Sequence, residues 1–599
     1  MAWGRSQGAS ALAHLVVVCL LVPIVAACSP PGPGPAATVA PSTGSTSSGG
    51  AAAVPTAPAA ATVAPAREVI ATQGPISTPA SQVTAAAKPT AVAPAASQAG
   101  SSATAAQTSD AVSFHPYATS DTASSAYQAL VYSGDLVTYD PRTLEMVPDA
   151  AKSWQISEDK LTYTFVLRDD LAWSDGVPMT SADYKWTYDQ VIKPENQYPY
   201  ISNYAPIVSY DAPDPRTLVV KLKEPIAVGL ETTSVVTPLP KHIWEALDWS
   251  DPQKNPQIMK PTVASGPYIL QEWRKDERAT FVANSRYHDG KPKIETFTYR
   301  IVPSTEVAYQ MLKTGEVDFA GFSPDNYAEA KALPNVTVQE WWPAAASWRY
   351  SGYNLRRETW QDVRVRHALA HAIDREAIAE YILLNLAQPI DSVFPSTSWV
   401  YNPNVPVYEF SPDNARALLD DAGWTMGPGG VRQKDGKPLT MKLLYGPATS
   451  KTWERIAQVM QQSWGDVGVQ VDIQTREWGT YLSELRSEPF DWDVNLGAWS
   501  STIEPHFMQQ IWMEASIPQL NASAYVNKRV EELFQQGVRE FDREKRKQIY
   551  GEVQRILSEE SPYIFLTFDK SYTGVSNRIG GIEPTPLGIG WNREQWFIK

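Results

Sequence analysis

The chain has 599 residues, 43% of them hydrophobic, so it holds material for more than one hydrophobic core. Its formal net charge of −14 and its lack of a basic stripe exclude an interface built on phosphate contacts, so we predict no nucleic-acid partner. Cys19 and Cys28 are the two cysteines, and both lie near the N-terminus. This excludes a disulfide framework, a cysteine metal site and a thiol nucleophile from the remainder of the sequence.

Residues 1–27 have the pattern of a bacterial lipoprotein signal peptide. Arg5 precedes an apolar stretch that begins at Ala11 and ends in Val25-Ala26-Ala27-Cys28. Small residues directly before a cysteine predict cleavage before Cys28 and attachment of lipid to its sulfur. We therefore expect an extracytoplasmic protein anchored to the cell membrane, because a lipoprotein cysteine carries more than one acyl chain. An uncleaved transmembrane anchor and an ordinary signal peptide are the alternatives.

Residues 28–109 predict a disordered tether. Pro, Ala, Ser, Thr and Gly dominate this segment, and it contains no aromatic residue before Thr108. Such a composition buries too little apolar surface to offset the entropy of ordering the chain. We interpret it as a spacer between the membrane and a folded body that begins near Asp110. A mucin-like tract without a specific role is the alternative.

Alternating hydrophobic residues predict strands in the folded body. The clearest cases are residues 161–167, 218–222 and 297–301. Residues 439–443 and 469–473 alternate as well, and the segment between them has helical spacing. That order predicts a β-α-β unit, so at least one lobe has an α/β fold.

Capping signals predict helices between these strands. Thr180 begins a capping box with Asp183 three residues later. Ser304 is a predicted N-cap of a helix that ends at Gly315. Ser411-Pro412 opens another helix, which a glycine ends at position 423.

A series of motifs in a fixed order resembles the family 5 extracellular solute-binding proteins, the oligopeptide, dipeptide and nickel receptors of ABC importers. Each motif alone is weak, but together they extend from about Asp110 to the C-terminus. The motifs are Tyr139-Asp140-Pro141, Pro148-Asp149-Ala150-Ala151-Lys152-Ser153-Trp154, Trp173-Ser174-Asp175-Gly176, Thr180-Ser181-Ala182-Asp183, Ser265-Gly266-Pro267-Tyr268, Lys313-Thr314-Gly315-Glu316-Val317-Asp318, Asp362-Val363-Arg364-Val365-Arg366-His367-Ala368-Leu369 and Ala372-Ile373-Asp374-Arg375.

The resemblance implies an α/β, periplasmic-binding-protein-like fold of two lobes (type II, cluster C) with an extra inserted domain. A ligand bound between the lobes would favour their closure, and the closed monomer would then dock on the permease of an ABC importer. The family needs no cofactor and catalyses no reaction. The implied segments are 110–139 with 263–349 and 571–599 for lobe I, 140–262 for the inserted domain, and 350–570 for lobe II.

The resemblance also implies ligand-binding residues in lobe II. In the oligopeptide receptors an aromatic residue follows a Glu on a strand that leads toward the cleft, and Trp478 matches that position. A second tryptophan, Trp499, ends the next strand. The backbone of Ala498, Trp499 and Ser500 matches the segment that pairs with an extended peptide as an added strand. Core packing is the alternative role for both tryptophans.

Three further residues are weaker candidates for ligand contact. Asp121 matches a segment of the first lobe that touches ligand in the family, with a turn or helix cap as its alternative role. Tyr445 closes the strand that begins near Leu439. Asn354 lies near the expected crossover between the lobes.

The sequence departs from the peptide receptors just after Trp499. Those receptors place an Asp there to hold the ligand's α-ammonium group, whereas this run, Trp499 to Pro505, has no Asp. Glu504 matches instead the acidic residue beside the family's proline. We therefore predict either a peptide or a neutral ligand such as an oligosaccharide.

The remaining motifs indicate neither a metal site nor catalysis. His367 and His371 share a helical face but lack the glutamate of a zincin motif, so we predict no metal site. Capture of chelated nickel is an open alternative that no motif supports. No catalytic serine motif or Rossmann fingerprint is present in the sequence. A glycoside hydrolase and a chaperone-like surface protein are the alternative functions.

Overall fold

The computed structural model describes five stretches of the chain, and the predicted signal peptide, Cys28 and most of the predicted tether lie outside them. No helix in the described part is long and apolar enough to cross a membrane. The stretches are 101–118, 121–198, 201–234, 236–446 and 451–599.

The first large sheet has seven strands, five from residues 268–341 and one from near each end of the described body. Ser102–Gln107 lies near its centre and pairs in parallel with Thr296–Ile301 over six residues. The strand predicted at 297–301 is therefore confirmed. In spatial order the strands are Val336–Trp341, Ser571–Ser576, Phe319–Ala320, Ser102–Gln107, Thr296–Ile301, Arg278–Ala283 and Tyr268–Arg274.

The end of the predicted tether at residue 109 is wrong, because Ser102–Gln107 is a strand of this sheet. Ala103 and Ala105 form the buried face of this strand and are 1% and 7% exposed. Alanine and threonine also dominate the tether, so composition did not separate the strand from it. Pairing with a distant strand supplies the order that local composition does not predict.

The second large sheet has six strands, all between residues 347 and 569. It contains the predicted β-α-β unit: Thr440–Tyr445 and Gln470–Thr475 pair in parallel, and helix Lys451–Gly465 connects them. The predicted boundary at 349/350 divides Ser347–Tyr353, which belongs wholly to this sheet. In spatial order the strands are Ala387–Pro389, Tyr563–Asp569, Ser347–Tyr353, Val494–Ser500, Thr440–Tyr445 and Gln470–Thr475.

An antiparallel sheet of four strands lies inside the segment predicted to be inserted. Tyr163, Phe165 and Leu167 alternate inward as the sequence predicted, and all three are buried. In spatial order its strands are Ala151–Ile156, Thr162–Leu167, Thr217–Leu222 and Ile207–Asp214.

The predicted helix signals are confirmed. Thr180 and Asp183 form the capping box of Ser181–Val191, and Ser304 accepts a hydrogen bond from the backbone of Val307. Gly315 ends that helix with φ of 77°, a left-handed conformation that favours glycine. The helices are Thr122–Val131, Ser181–Val191, Gly229–Ser234, Lys241–Trp244, Thr305–Thr314, Tyr327–Ala332, Glu358–Gln361, Val363–His371, Arg375–Ala377, Pro412–Asp421, Lys451–Gly465, Trp478–Arg486, Lys528–Arg539 and Arg543–Glu560.

The described structure also contains short 3₁₀ and π-helical segments and further short strands. Val137–Tyr139 pairs with Met146–Pro148, and Ile579–Gly580 pairs with Phe597–Ile598. A small three-stranded sheet follows the helix that Ser411 caps. Its strands are Thr425–Met426, Arg432–Lys434 and Lys437–Pro438.

The chain passes between the two large sheets at residues 342–346 and again at Lys570. At these crossings the Trp342 and Phe568 rings pack with their centroids 4.9 Å apart. The Lys570 ammonium lies 3.1 Å from a Glu340 carboxylate oxygen. Because the two crossings are short and lie side by side, few backbone torsions would need to change if the sheets moved relative to each other.

Candidate functional site

A cavity of about 330 Å³ opens beside the end of strand Val494–Ser500, which we call the cavity strand. Its volume is at the lower end of the range for ligand cavities, about 300–1,000 Å³. Three predicted ligand-binding residues meet here, namely Ala498, Trp499 and Ser500. The lining residues are Ser347, Ala498, Trp499, Ser500, Thr502, Met508, Gln510 and Ile511.

The cavity strand has two differently paired halves. The inner half, Val494–Leu496, pairs with Ser347–Tyr353 on one side and with Thr440–Tyr445 on the other. The outer half, Gly497–Ser500, continues beyond the last residue of Thr440–Tyr445, which lies opposite Leu496. Within the described ranges, the outer half is paired on one side only.

The direction of the backbone groups follows from one hydrogen bond just after the cavity strand. The Ser501 N–H donates to the Ala346 carbonyl oxygen at 2.8 Å. Because backbone groups of successive strand residues point to opposite edges, Trp499 directs its N–H and C=O toward the same partner strand. Ala498 and Ser500 then direct theirs toward the open edge, where an added strand can accept and donate hydrogen bonds.

An aromatic stack lies behind the cavity. The Trp499 ring is nearly parallel to that of Tyr350, at 7° and 6.3 Å between centroids, and Tyr350 stacks on Tyr563 at 4.2 Å. Gly497 lets the Tyr350 side chain lie close to the cavity strand, since a Cβ at residue 497 would lie 2.9 Å from the Tyr350 hydroxyl oxygen. Burial raises the pKa of the Tyr563 hydroxyl to about 12, so that residue is uncharged at neutral pH.

Trp478 lies on a helix and not on the strand where the sequence placed it. The preceding strand ends at Thr475, and Glu477 caps helix Trp478–Arg486 by accepting a hydrogen bond from the Gly479 N–H at 2.9 Å. An acidic residue at the N-cap is a local sequence signal for the start of a helix, and the prediction followed the family resemblance in place of that signal. Trp478 is 43% exposed, stacks on Tyr481 at 5.4 Å and does not line the cavity. Its contact with ligand stays a prediction.

Asp121 is a helix cap in this structure. Its Oδ1 accepts a hydrogen bond from the Ser124 N–H at 2.7 Å at the start of helix Thr122–Val131. The alternative role considered from the sequence is therefore observed. Asp121 is only half-buried, and its contact with ligand stays a prediction.

Tyr445 and Asn354 are both buried away from the cavity lining. Tyr445 is the last residue of its strand and is 3% exposed. The Asn354 amide donates to the carbonyl oxygens of Phe490 and Trp492, at 3.1 and 2.9 Å. These bonds tie the end of strand Ser347–Tyr353 to the segment before the cavity strand. Ligand contact by either residue stays a prediction.

The carboxylate that follows the cavity strand is already paired. Glu504 accepts hydrogen bonds from the Arg546 guanidinium, one of them at 3.1 Å, and from the His506 N–H at 2.9 Å. Glu231, from the four-stranded sheet's segment, lies close by. Burial and the Glu504 charge raise the pKa of Glu231 to about 8. The sequence showed no sign of this cluster, because its members are far apart along the chain.

One group of three residues in the described part has the geometry to hold a metal ion: Asp149, His288 and Asp289. The His288 Nε2 is 2.7 Å from a carboxylate oxygen of Asp149. Burial alone would lower the pKa of His288, but the hydrogen bond and charge of Asp149 outweigh that effect and raise it. His288 is therefore engaged by Asp149, and none of the three residues lines the cavity.

Comparison with known proteins places the chain among extracellular receptors. A family model described as bacterial extracellular solute-binding proteins, family 5 Middle, matches residues 145–516. The chain is 26% identical over 493 residues to the oligopeptide-binding protein AppA of Bacillus subtilis (strain 168), covering 81% of this chain and 89% of AppA. It is 27% identical over 479 residues to the dipeptide-binding protein of Escherichia coli (strain K12), covering 76% and 86%.

A solved structure shows the same architecture. The structure of AppA from Bacillus subtilis in complex with a nonapeptide has a TM-score of 0.68 and 25% sequence identity, covering 84% of this chain and 99% of that one. This likeness confirms the predicted two-lobed α/β fold of the periplasmic binding proteins.

Proposed function

Because the chain belongs to family 5 of the bacterial extracellular solute-binding proteins, as its motifs predicted, we propose that it captures an extended peptide and delivers it to an ABC importer. It acts as a transport receptor and not as an enzyme. Its similarity to an oligopeptide-binding and a dipeptide-binding protein supports both the peptide and the importer permease as partners.

The open edge of the cavity strand is the observation that carries this proposal. Ala498 and Ser500 direct backbone donors and acceptors toward that edge, and both residues are exposed. A peptide in extended conformation satisfies them by adding a strand, which gives affinity with little dependence on the peptide's sequence. Trp499 and the apolar part of the lining then receive one of its side chains.

Closure about the two crossings at 342–346 and Lys570 would bring the other lobe over the bound peptide. Only a ligand that binds the closed state more tightly than the open one shifts that equilibrium. Strand pairing along one lobe and contacts from the other provide that difference. Asp121 is the candidate contact from the other lobe, whereas Trp478, Tyr445 and Asn354 are candidate contacts on the lobe that holds the cavity strand.

The predicted anchor agrees with this role. Lipid on Cys28 and the tether that follows would hold a monomeric receptor at the membrane surface, outside the cytoplasm. Tethering keeps the receptor close to the permease at a high effective concentration.

An oligosaccharide is the second candidate ligand, because the half-buried Trp499 presents an aromatic wall in a cavity without charged lining. Sugar rings stack on such faces, and neutral hydroxyl groups need no counter-charge. This ligand would leave the backbone edge of the cavity strand largely unused, so we rank it second.

A thermal-shift screen followed by calorimetry tests the proposal. Peptides of two to nine residues are compared with cello-, manno- and xylo-oligosaccharides. A peptide at a hundredfold excess over Kd is expected to stabilise the protein by about 2.7 kcal/mol, with one ligand bound per chain and no turnover. Stabilisation by a saccharide alone, or consumption of the ligand over time, would contradict a peptide receptor.

A further inference from the structure

No residue that lines the cavity carries a charge. The residues between 101 and 599 that fall outside the described ranges add none, because none of them is acidic or basic. They are Thr119, Ser120, Pro199, Tyr200, Val235, Pro447, Ala448, Thr449 and Ser450.

Two carboxylates linked to the cavity strand by sequence or by strand register are already engaged. Glu504 forms two hydrogen bonds with Arg546, and both side chains are 9% exposed. Asp569 pairs with Arg349, whose strand position lies opposite Ala498. A ligand ammonium group at the outer half would therefore lose its water and find no free carboxylate in return.

The lining is suited instead to an apolar side chain. Met508 and Ile511 are 4% and 2% exposed and form one wall with Trp499. The Thr502 hydroxyl donates to the carbonyl oxygen of Glu504 at 2.7 Å, so it is not available as a donor to ligand. The polar groups left at the cavity are the uncharged side chains of Ser347, Ser500 and Gln510 and the backbone of the open edge.

We propose that the cavity binds an uncharged segment of the peptide, so that a free amino terminus is not required for binding. A peptide whose terminus is acetylated is then held as tightly as its unmodified form. This inference rests on the proposed function and narrows its ligand class to peptides that are neutral and apolar at the cavity.

Calorimetry with matched peptides tests the inference. One apolar hexapeptide from the screen is titrated with a free and with an acetylated terminus, at pH 6 and pH 9, on either side of the α-amino pKa of about 8. The two Kd values are expected to agree within about threefold at both pH values, since no counter-charge is lost on acetylation. A loss above about tenfold on acetylation at pH 6 would overturn the inference and leave the proposed function standing.

Two variants then test which part of the peptide lies at the cavity. Ser500→Asp adds a carboxylate at the exposed end of the cavity strand, and Ser500→Asn is its uncharged control. If an uncharged segment lies there, the free and acetylated peptides should still bind each variant with Kd values within about threefold of each other. A preference of about tenfold for the free terminus in the aspartate variant alone would place the ammonium group at the cavity and overturn the inference. If wild type prefers the free terminus and Asp121→Asn removes that preference, Asp121 supplies the counter-charge and the inference is wrong. Failure of every peptide, free or acetylated, would overturn the proposed function together with this inference.

Discussion

The two halves of the cavity strand differ in their pairing and not in their secondary structure. Val494 and Leu496 in the inner half are fully buried, and a strand lies on either side of them. In the outer half Ala498 and Ser500 are exposed, and among the described strands only Ser347–Tyr353 lies alongside. The same strand therefore contributes to the core at one end and presents an open edge at the other. The position where the neighbouring strand ends separates the two roles.

The largest effect on stability is expected in the inner half. Leu496→Ala removes a side chain that is completely buried, so it leaves a cavity and should cost about 2–5 kcal/mol of unfolding free energy. Urea denaturation measures this cost. Ligand affinity of the folded fraction should change by less than about threefold. A tenfold loss of affinity with unchanged stability would mean that the inner half belongs to the binding site.

The largest effect on binding is expected at Ala498. Ala498→Pro removes the N–H of residue 498, which points to the open edge, and breaks no hydrogen bond of the existing sheet. Affinity for peptide should fall about a hundredfold, because a main-chain hydrogen bond that aligns the added strand is lost. Ala498→Ser keeps the N–H and is the matched control, with affinity close to wild type. Calorimetry gives both values, and circular dichroism checks the fold. Equal affinities of the two variants would rule out an added strand at this edge.

A smaller effect is expected where the outer half ends. The Ser501 hydroxyl accepts a hydrogen bond from the Ala346 N–H at 2.8 Å and donates to the Ala346 carbonyl oxygen at 3.1 Å. Ser501→Ala leaves a buried N–H without its acceptor and should cost about 1–3 kcal/mol. Ser501→Thr retains the hydroxyl as the control. Denaturation midpoints distinguish the two, and an unchanged midpoint in the alanine variant would show that this bond does not hold the strand end.

The smallest effect on stability is expected at Trp478, outside the cavity. Trp478→Ala should cost less than about 1 kcal/mol, because Trp478 is 43% exposed and its ring stacks on Tyr481 near the surface. Its effect on affinity separates two possibilities for the ligand-binding surface. A loss of peptide affinity above about threefold would extend that surface from the cavity strand to the start of helix Trp478–Arg486. Unchanged affinity would restrict the surface to the outer half.

Several elements followed directly from local sequence patterns. The alternation of Tyr163, Phe165 and Leu167 predicted a strand, and the Thr180 capping box predicted a helix, because both depend on residues that are close in the chain. Glu477 belongs to the same class of local signals. The prediction for Trp478 was wrong about its element because it followed the family resemblance in place of that cap.

The failures of prediction involve partners that are far apart in sequence. Ser102–Gln107 has the composition of a tether and is a strand because Thr296–Ile301 pairs with it. Glu504 is unavailable to ligand because Arg546, on another helix, neutralises it. In both cases the sequence around the affected residues gives no indication of the distant partner.

The sequence by itself determined the family, the two-lobed α/β fold and the presence of Ala498, Trp499 and Ser500 on one strand, because ordered motifs and short periodicities are local properties. Only the tertiary structure decided that this strand extends beyond Thr440–Tyr445 and that the charges beside it are paired. The physical reason is that an open edge and a compensated charge are relations between distant segments, which exist only once folding has brought those segments together.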